Sequence, residues 1–167
     1  MGLQVFVFCD CVEKKRLKHP HPFPRLLYIA PNGSPEIRSR DVAKIEQHDE
    51  WMLTACKHEG DMMAGGDDIG NAWWVTYLQE ALSKAVKSPS REFPVIWHKV
   101  IFCGTHTGDH LTIKNVLRLK NELVRLRKVN LVSAGLDKDE RDAVKGLIKT
   151  LADTVRVSIR LNKPVAF

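Results

Sequence analysis

The sequence lacks any apolar run that is long enough to cross a bilayer. Its N-terminal apolar stretch, Leu3 to Phe8, falls far short of the roughly 20 residues that a transmembrane helix needs. The stretch also precedes the first basic cluster, which reverses the order found in a secretory signal. We therefore expect a chain with no membrane partner and a cytoplasmic location.

The sequence also has few cysteines, four in 167 residues, and this excludes the disulfide framework of small secreted proteins. Most of them stand in apolar runs, where a reduced thiol behaves as a small apolar side chain. Cys9 and Cys11 face the same side of a predicted strand, because strand side chains alternate, and this pair could serve a redox or metal site. A chain of this length buries a core without a metal, so any metal is expected to be functional rather than obligatory for folding.

Acidic residues are concentrated in one segment. The net charge is +6, but from Glu46 to Glu80 eight acids and the single Lys57 give −7, so the remainder of the chain carries +13. The acidic segment is suited to a basic protein surface, whereas a basic protein often meets nucleic acid. Charge alone therefore leaves two classes of partner open.

The basic remainder includes the outer face of a predicted helix. This face carries six basic side chains: Lys114, Arg118, Lys120, Arg125, Arg127 and Lys128. Nucleic-acid binding would need a supporting motif, aromatic side chains or a second basic patch, and the sequence offers none. We interpret the face as solvated and do not expect a nucleic-acid partner.

The spacing of apolar residues predicts one α+β domain over residues 1–167. Strands are predicted at 3–12, 25–30, 93–102 and 154–161, with the apolar 93–102 segment in the centre of the sheet and a simple hairpin joining the first two. Helices are predicted after Asp41, from 69 to 86, after Thr112, and from Asp137 to Ala152. Residues 13–24 and the glycine-rich segment 60–70 are predicted loops. The result is a mixed or antiparallel sheet of about four to five strands packed against three to four helices, without an internal repeat.

Two polar clusters concentrate reactive side chains, one at residues 48–59 and one at 103–110. Zinc takes cysteine and histidine ligands, and a set that could supply them is Cys56, His58, Cys103, His106 and His110. The spacings match no usual zinc signature, so no metal or other cofactor is expected, with zinc as the alternative. Cys103 with His106 could form a thiol nucleophile, and His58 with Glu59 could act as general acid and base.

Gly104 and Gly108 lie between a predicted strand and a predicted helix. A tight turn there could direct backbone N–H groups at an anion. The spacing is neither that of a P-loop nor that of a dinucleotide fingerprint, and Asp109 would repel phosphate. Nucleotide binding is therefore not expected.

Several segments together resemble a known family. The segments are the opening Met1-Gly2-Leu3 before a strand, Phe93 to Ile96 followed by Gly104 to Asp109, the apolar positions from Val116 to Leu123, and the terminal Lys163-Pro164-Val165-Ala166-Phe167. They resemble the immunity protein 70 family of bacterial polymorphic toxin systems, over the first strand and the second half of the chain. The resemblance implies an α+β cytoplasmic protein that binds and neutralises a cognate toxin without catalysis. It also implies a polar loop before the helix, which Gly104, His106, Gly108 and Asp109 would occupy.

The leading hypothesis is a toxin-neutralising binding protein whose acidic segment meets a basic toxin surface. Its candidate partner-binding residues are Glu59, Asp67, Asp68, His106 and Asp109. The alternative is a small metal- or thiol-dependent enzyme that uses the two polar clusters, and a nucleic-acid-binding module ranks last. The sequence does not indicate an oligomeric state.

Overall fold

The computed structural model describes residues 2–58, 60–101 and 109–167, and these form an α+β domain, as predicted. The strands are β1 (Gly2–Phe8), β2 (Leu27–Ile29), β3 (Pro35–Ile37), β4 (Met63–Asn71), β5 (His110–Leu111) and β6 (Val165–Ala166). The helices are α1 (Val42–Thr54), α2 (Ala72–Ala85), α3 (Pro89–Glu92), a π-helical turn (Ile96–Val100), α4 (Ile113–Leu126) and α5 (Lys138–Leu161). No helix in these ranges has the length and apolar character that a membrane crossing requires.

β1 separates two apolar cores. The main sheet is antiparallel, in the order β4-β1-β6-β5. Leu3, Val5 and Val7 enter the main core, which lies between the sheet and the helices α2, α4 and α5. Alternation directs the intervening side chains to the other face, where Phe8 joins a smaller core against α1. This small core comprises Phe8, Cys9, Cys11, Trp51, Met52, Ala55, Cys56, Met62 and Ala166.

The glycine-rich segment 60–70 was wrongly predicted as a loop, since most of it belongs to the edge strand β4. β4 runs antiparallel to β1, with two register shifts. Gly66 shows why glycine is needed here: a Cβ at this position would lie 2.3 Å from the carbonyl oxygen of Val5. The segment is glycine-rich because two backbones approach closely inside a sheet.

The predicted hairpin between the first two strands is also wrong. β2 pairs with β3 in a separate two-stranded sheet, across a turn where Gly33 has a φ of +91°. β1 has β4 on one side and β6 on the other, so both of its edges are taken.

The segment predicted as the central strand, 93–102, instead contains the π-helical turn Ile96–Val100, and Phe102 lies outside the described residues. The buried carboxylate of Glu122, on α4, accepts hydrogen bonds from the backbone N–H groups of Val95 at 3.0 Å and Ile96 at 2.9 Å. N–H groups at the start of a helical turn have no partner within it, so a distant side chain supplies one here. This tertiary contact outweighs the strand propensity of the segment.

The last predicted strand, 154–161, is the C-terminal part of α5, which extends well beyond the predicted end at Ala152. Asp137 caps this helix in a capping box with Glu140, as expected for an N-cap aspartate. The helix ends at Asn162, whose φ of 53° is left-handed. The chain then turns into β6, a strand that the sequence did not predict.

The three helices α1, α2 and α4 form where the sequence predicted them. The Asp41 side chain accepts a hydrogen bond from the N–H of Ala43 at 3.1 Å, which starts α1. α2 lies within the predicted range 69–86, and α4 begins after Thr112, although the Thr112 side chain makes no capping bond.

Candidate functional site

Four metal-ligating side chains converge where β1 ends: Cys9, Cys11, Cys56 and His58. We call them the Cys–His cluster. Their ligand atoms all lie within 4.8 Å of one another. The Sγ atoms of Cys9 and Cys56 are 3.8 Å apart, and Nδ1 of His58 lies 3.5 Å from Cys11 Sγ and 3.4 Å from Cys56 Sγ. Thiolate and imidazole groups are ligands of zinc and related metals, so the cluster could hold a metal ion.

Two chain segments build the cluster, and each contributes a pair of ligands with one residue between them. The two cysteines of the first pair follow β1, and the cysteine and histidine of the second follow α1. Backbone hydrogen bonds fix the segments against each other. The N–H of Cys9 donates to the carbonyl of Met62 at 2.8 Å, and that of Lys18 donates to the carbonyl of Ala55 at 2.7 Å.

The three cysteines of the cluster are buried and His58 is half-buried. Burial raises the pKa of the Cys9 and Cys11 thiols. Burial, followed by the positive charges of Lys57 and Arg16, lowers the pKa of the His58 imidazole. A buried neutral thiol is a poor nucleophile, so the metal-free cluster is not suited to nucleophilic catalysis.

The backbone that follows His58 is held in an unusual conformation. Gly60, Asp61 and Met62 have φ angles of 57°, 39° and 60°. Residues other than glycine seldom adopt positive φ, and they keep it where the surroundings hold them in place. Met62 is held twice, because its side chain is fully buried in the small core and its carbonyl accepts the hydrogen bond from Cys9.

Charged side chains adjoin the cluster. Asp10, between the first two ligands, is buried and forms ion pairs with Arg16 and with Lys14, the latter at 2.7 Å. Burial acts to raise the pKa of Asp10, but the hydrogen bond from Lys14 and the charge of Arg16 hold it below its usual value. The Asp10 carboxylate therefore anchors Arg16 near His58.

The structure brings together only part of the metal set that the sequence suggested. Cys56 and His58 are in the cluster. His110 lies on β5, opposite Ala166 of β6, and is not among the ligands that converge within the described residues. Cys103 and His106 lie outside the described residues.

Cys9 and Cys11 are the ligands that the suggested set left out. The sequence shows them as a same-side pair, and a matching signal lies in Cys56-x-His58. Both contacts between the pairs, Cys9 to Cys56 and Cys11 to His58, join residues 47 positions apart. Two such pairs, one near the end of a predicted strand and one in a predicted polar cluster, were the available sign of one shared site.

A second candidate site is a groove among β4, α2 and α5, which we call the acidic groove. It has a volume of about 630 Å³, and its walls include Asp68, Trp73, Tyr77, Asp139 and Asp142. The three carboxylates are exposed. No described residue that lines the groove is basic, but Asp142 forms an exposed ion pair with Lys145 at 3.6 Å, so the negative potential comes mainly from Asp68 and Asp139.

Aromatic rings form one wall of the acidic groove. Trp73 is 68% exposed and stacks on Tyr77, with the ring centroids 5.6 Å apart and the planes at 9°. Burial, followed by the negative charges of Asp137 and Glu140, raises the pKa of the Tyr77 hydroxyl. An aromatic surface in a negative potential favours contact with a cationic side chain.

The described members of the predicted partner-binding set, Asp67, Asp68 and Asp109, lie at two different edges of the main sheet. Asp67 and Asp68 are exposed on β4, and Asp68 lines the acidic groove. Asp109 is also exposed but precedes β5, which is the opposite edge of the sheet from β4. Glu59 and His106 lie outside the described residues.

The basic face of α4 is exposed, as the sequence predicted. Its members are Lys114, Arg118, Lys120, Arg125, Arg127 and Lys128. Arg125 is partly engaged within the protein, because it donates to the Glu92 carbonyl at 2.6 Å and lies over the Phe93 ring. No aromatic platform comparable to that of the acidic groove is seen on this face in the described part of the chain.

Two buried histidines lie against the small core. Nε2 of His21 is 3.0 Å from Nδ1 of His48, and both rings contact Trp51. Burial, followed by the proximity of His48, lowers the pKa of His21. His21 is therefore suited to the neutral state.

Comparison with known proteins leaves the chain without a relative to argue from. No protein-family model matches it, and no curated protein or solved structure matches it significantly. Function has to be inferred from the geometry of the two sites.

Proposed function

We propose that the chain acts by binding a basic protein, a cognate toxin domain that it neutralises in the cytoplasm without catalysis. The observation that carries this proposal is the acidic groove, where carboxylates from two elements surround an exposed tryptophan. The resemblance to the immunity protein 70 family supports the same function, because such proteins act by binding.

The groove has the features of a contact surface for a cationic partner. Asp68 on β4 and Asp139 and Asp142 on α5 face the same space. Charge complementarity of this kind speeds encounter with a basic protein and suppresses wrong partners. The groove is large enough for several side chains, so we expect it to receive a lysine or arginine together with neighbouring residues of a larger interface.

Trp73 is the expected centre of the contact. A tryptophan that is mostly exposed in the free protein can bury a large area on binding, and tryptophan is enriched among residues that dominate interface energies. Its stacking on Tyr77 holds the ring in one orientation. Less side-chain entropy is then lost when a partner binds.

The proposal favours Asp67 and Asp68 over Asp109 as contact residues. Asp68 lines the groove and Asp67 precedes it on β4, whereas Asp109 lies at the other edge of the sheet. A standard interface buries about 800 Å² per partner. An interface of this size centred on the groove would include β4 and the exposed start of α2.

The test begins with purification of the tagged chain from its native cells and a high-salt wash, followed by mass spectrometry of what stays bound. The partner is then titrated against Asp67→Lys/Asp68→Lys and against Trp73→Ala. The matched control is Glu46→Lys/Glu50→Lys, which makes the same charge change on exposed positions of α1. We expect both groove variants to weaken binding at least about 30-fold, since interface hot spots are worth about 2 kcal/mol or more.

Rescue of cells from the partner's toxicity then separates neutralisation from simple binding. Loss of rescue in the groove variants with retention in the control supports the proposal. Equal affinity in all variants would mean that the acidic groove is not the interface. If the bound partner is not toxic, the groove is still the binding surface, but the proposal that the partner is a toxin is wrong.

The Cys–His cluster is the site that the alternative function, a metal-dependent enzyme, would use. A catalytic zinc keeps one coordination position open for water or substrate, whereas four protein ligands close the site. Here four side chains converge and three of them are buried, which disfavours catalysis at this position. Hydrolytic activity that follows zinc content would reverse that preference.

A further inference from the structure

We infer that Cys9, Cys11, Cys56 and His58 bind one zinc ion in a closed, tetrahedral site that fixes the small core. This site differs from the set of ligands that the sequence suggested, and it is independent of the proposed partner contact. It is distinct in position too: Gln4 pairs with Asp68, and Cys9 lies about five residues, or roughly 17 Å, further along the same strand.

The distances match the edges of a zinc tetrahedron. With Zn–S bonds of about 2.3 Å and Zn–N bonds of about 2.0–2.1 Å, a regular tetrahedron has S···S edges of about 3.8 Å and S···N edges of about 3.5 Å. The Cys9–Cys56 Sγ distance is 3.8 Å, and the two distances from His58 Nδ1 to sulfur are 3.5 Å and 3.4 Å. Three edges therefore agree with one central ion.

A disulfide does not account for the arrangement. Bonded sulfur atoms are about 2.05 Å apart, far closer than the 3.8 Å between Cys9 and Cys56. Apolar packing of reduced thiols explains their burial but not the position of His58. The imidazole directs one nitrogen at two different sulfur atoms, which is what a shared ion between them requires.

The donor set selects the metal. Three sulfur atoms and one imidazole nitrogen suit zinc, whereas magnesium and calcium take oxygen ligands. The four ligand atoms lie within 4.8 Å of one another, which is the sphere of a single ion. The backbone N–H of His58 also donates to Cys56 Sγ at 3.4 Å, a contact that stabilises a thiolate.

The surrounding charges suit the loaded site. Three thiolates, a neutral imidazole and Zn²⁺ give a net charge of −1 by their formal charges. Arg16 and Lys57 are both close enough to act on the charge of His58. Arg16 is held there by its ion pair with the buried Asp10, so a fixed positive charge adjoins the negative centre.

The ion would join two segments that themselves lie outside the helices and strands. The first ligand pair follows β1 and the second follows α1, and the left-handed backbone at Gly60 to Met62 comes directly afterwards. The main core contains none of the ligands. We therefore expect removal of the metal to loosen the small core while the sheet and the helices α2, α4 and α5 stay folded.

The test measures metal in full-length protein purified without a metal-affinity step, and then its spectrum after cobalt replacement. We expect about one zinc per chain, and sulfur-to-cobalt charge transfer with the intense visible bands of tetrahedral cobalt. Less than about one tenth of an ion per chain after incubation with zinc, or an octahedral cobalt spectrum, would overturn the site.

Three variants identify the ligands. Cys56→Ser and His58→Ala should each weaken zinc binding by more than about 100-fold, since even the outer partners of metal ligands are worth about 10–100-fold. His58→Cys should restore binding, because a fourth thiolate completes the same tetrahedron. After removal of bound metal, added zinc should raise the Tm of the wild type and of His58→Cys, but not that of Cys56→Ser.

Cys103→Ser is the matched control, since it removes a cysteine that belongs only to the set suggested by the sequence. It should bind zinc as the wild type does. Loss of zinc in Cys103→Ser with retention in Cys56→Ser would refute the proposed ligands. If Cys56→Ser does not fold, the cobalt spectrum of the wild type still decides, because its intensity reports sulfur ligation.

Discussion

Replacing Glu122 tests why the segment predicted as a strand contains the helical turn Ile96–Val100 instead of the strand that its composition favours. The Glu122 carboxylate is 3% exposed and accepts from the N–H groups of Val95 and Ile96 at 2.9 to 3.1 Å. In Glu122→Leu both donors stay buried and lose their acceptor. Each such group costs about 1–3 kcal/mol, and the apolar leucine offsets part of this, so we expect the free energy of unfolding to fall by about 2–4 kcal/mol.

Glu122→Gln is the matched control, because it keeps the size of the side chain. Oε2 accepts from both N–H groups, so an amide oxygen in that position retains both hydrogen bonds. The amide nitrogen then replaces Oε1 and faces the N–H of Val95, which is a donor. We expect a loss of about 1 kcal/mol, between the wild type and the leucine variant.

The pH dependence has a definite sign. Burial raises the pKa of Glu122, although the hydrogen bonds from Ile96 and Val95 oppose the shift. The folded state therefore binds this proton more tightly than the unfolded chain, whose pKa is near 4.5. The stability that Glu122 contributes is fully present below the unfolded pKa, and it is lost as the pH rises through the higher pKa of the folded state. As the pH is lowered, the free energy of unfolding of the wild type should therefore increase relative to that of Glu122→Gln.

Urea unfolding, followed by circular dichroism and by tryptophan fluorescence, measures these differences. Trp97 lies in the π-helical turn and is half-buried, so its emission reports the segment directly. The m-values should be equal if the variants share one folded state. A leucine variant within about 0.5 kcal/mol of the wild type would refute the reasoning, since the N–H groups would then have another acceptor.

Three further predictions concern other parts of the chain. Because burial and His48 lower the pKa of His21, the stability that His21 contributes is present above the unfolded pKa of 6.5 and is lost as the pH falls. In urea unfolding, His21→Gln should lose less stability at acid pH than the wild type. If both lose the same amount, the histidine pair is not the source of the acid loss. Gly66→Ala should destabilise by about 2–4 kcal/mol, because its Cβ would lie 2.3 Å from a carbonyl oxygen. Gly146→Ala, with open space on α5, should instead stabilise the protein by about 0.5–1 kcal/mol. Thermal melts measure both variants, and similar shifts in Tm for Gly66→Ala and Gly146→Ala would contradict the steric argument. Trp73→Ala should change the free energy of unfolding by less than about 1 kcal/mol, since the side chain is 68% exposed; a larger loss in urea unfolding would make Trp73 a structural residue rather than a contact residue.

Local signals sufficed where an element is specified by its own residues. Asp41 and Asp137 cap α1 and α5 as predicted, and each cap acts on N–H groups within three residues of it. The apolar period of α4 likewise predicts its buried face, with Val116 and Leu119 in the main core. These are contacts between near neighbours, which a single sequence records.

The strands and turns that were wrong depend on distant contacts. β4 forms only with the backbone of β1 alongside it, and glycine is required at position 66 because of the carbonyl of Val5. The helical turn at 96–100 needs the carboxylate of Glu122, 26 residues from Ile96. In each case local composition gave the wrong structure because the deciding partner lies elsewhere in the chain.

The candidate metal site was half predicted for the same reason. Cys56 and His58 stood out as a dense polar pair, but their partners are 47 residues away at the end of β1. The distance is bridged only when α1 folds back across the sheet, which places its last turn beside Cys9 and Cys11. A same-side cysteine pair after a strand has no assigned role until that packing is known.

β4 connects the two sites physically. It begins directly after Met62, whose carbonyl bonds to Cys9, and it ends where Asp68 and Asn71 lead into α2 and the acidic groove. Its many glycines give β4 few side chains of its own to fix its register, and the pairing with β1 shifts twice. Register that side chains specify weakly must be set at the ends of a strand. The Asn71 cap sets one end, since its side chain accepts from the N–H of Trp74 at 3.0 Å. The Cys–His cluster is placed to set the other, and a metal bound there would hold the strand that carries Asp67 and Asp68 in the register that exposes them.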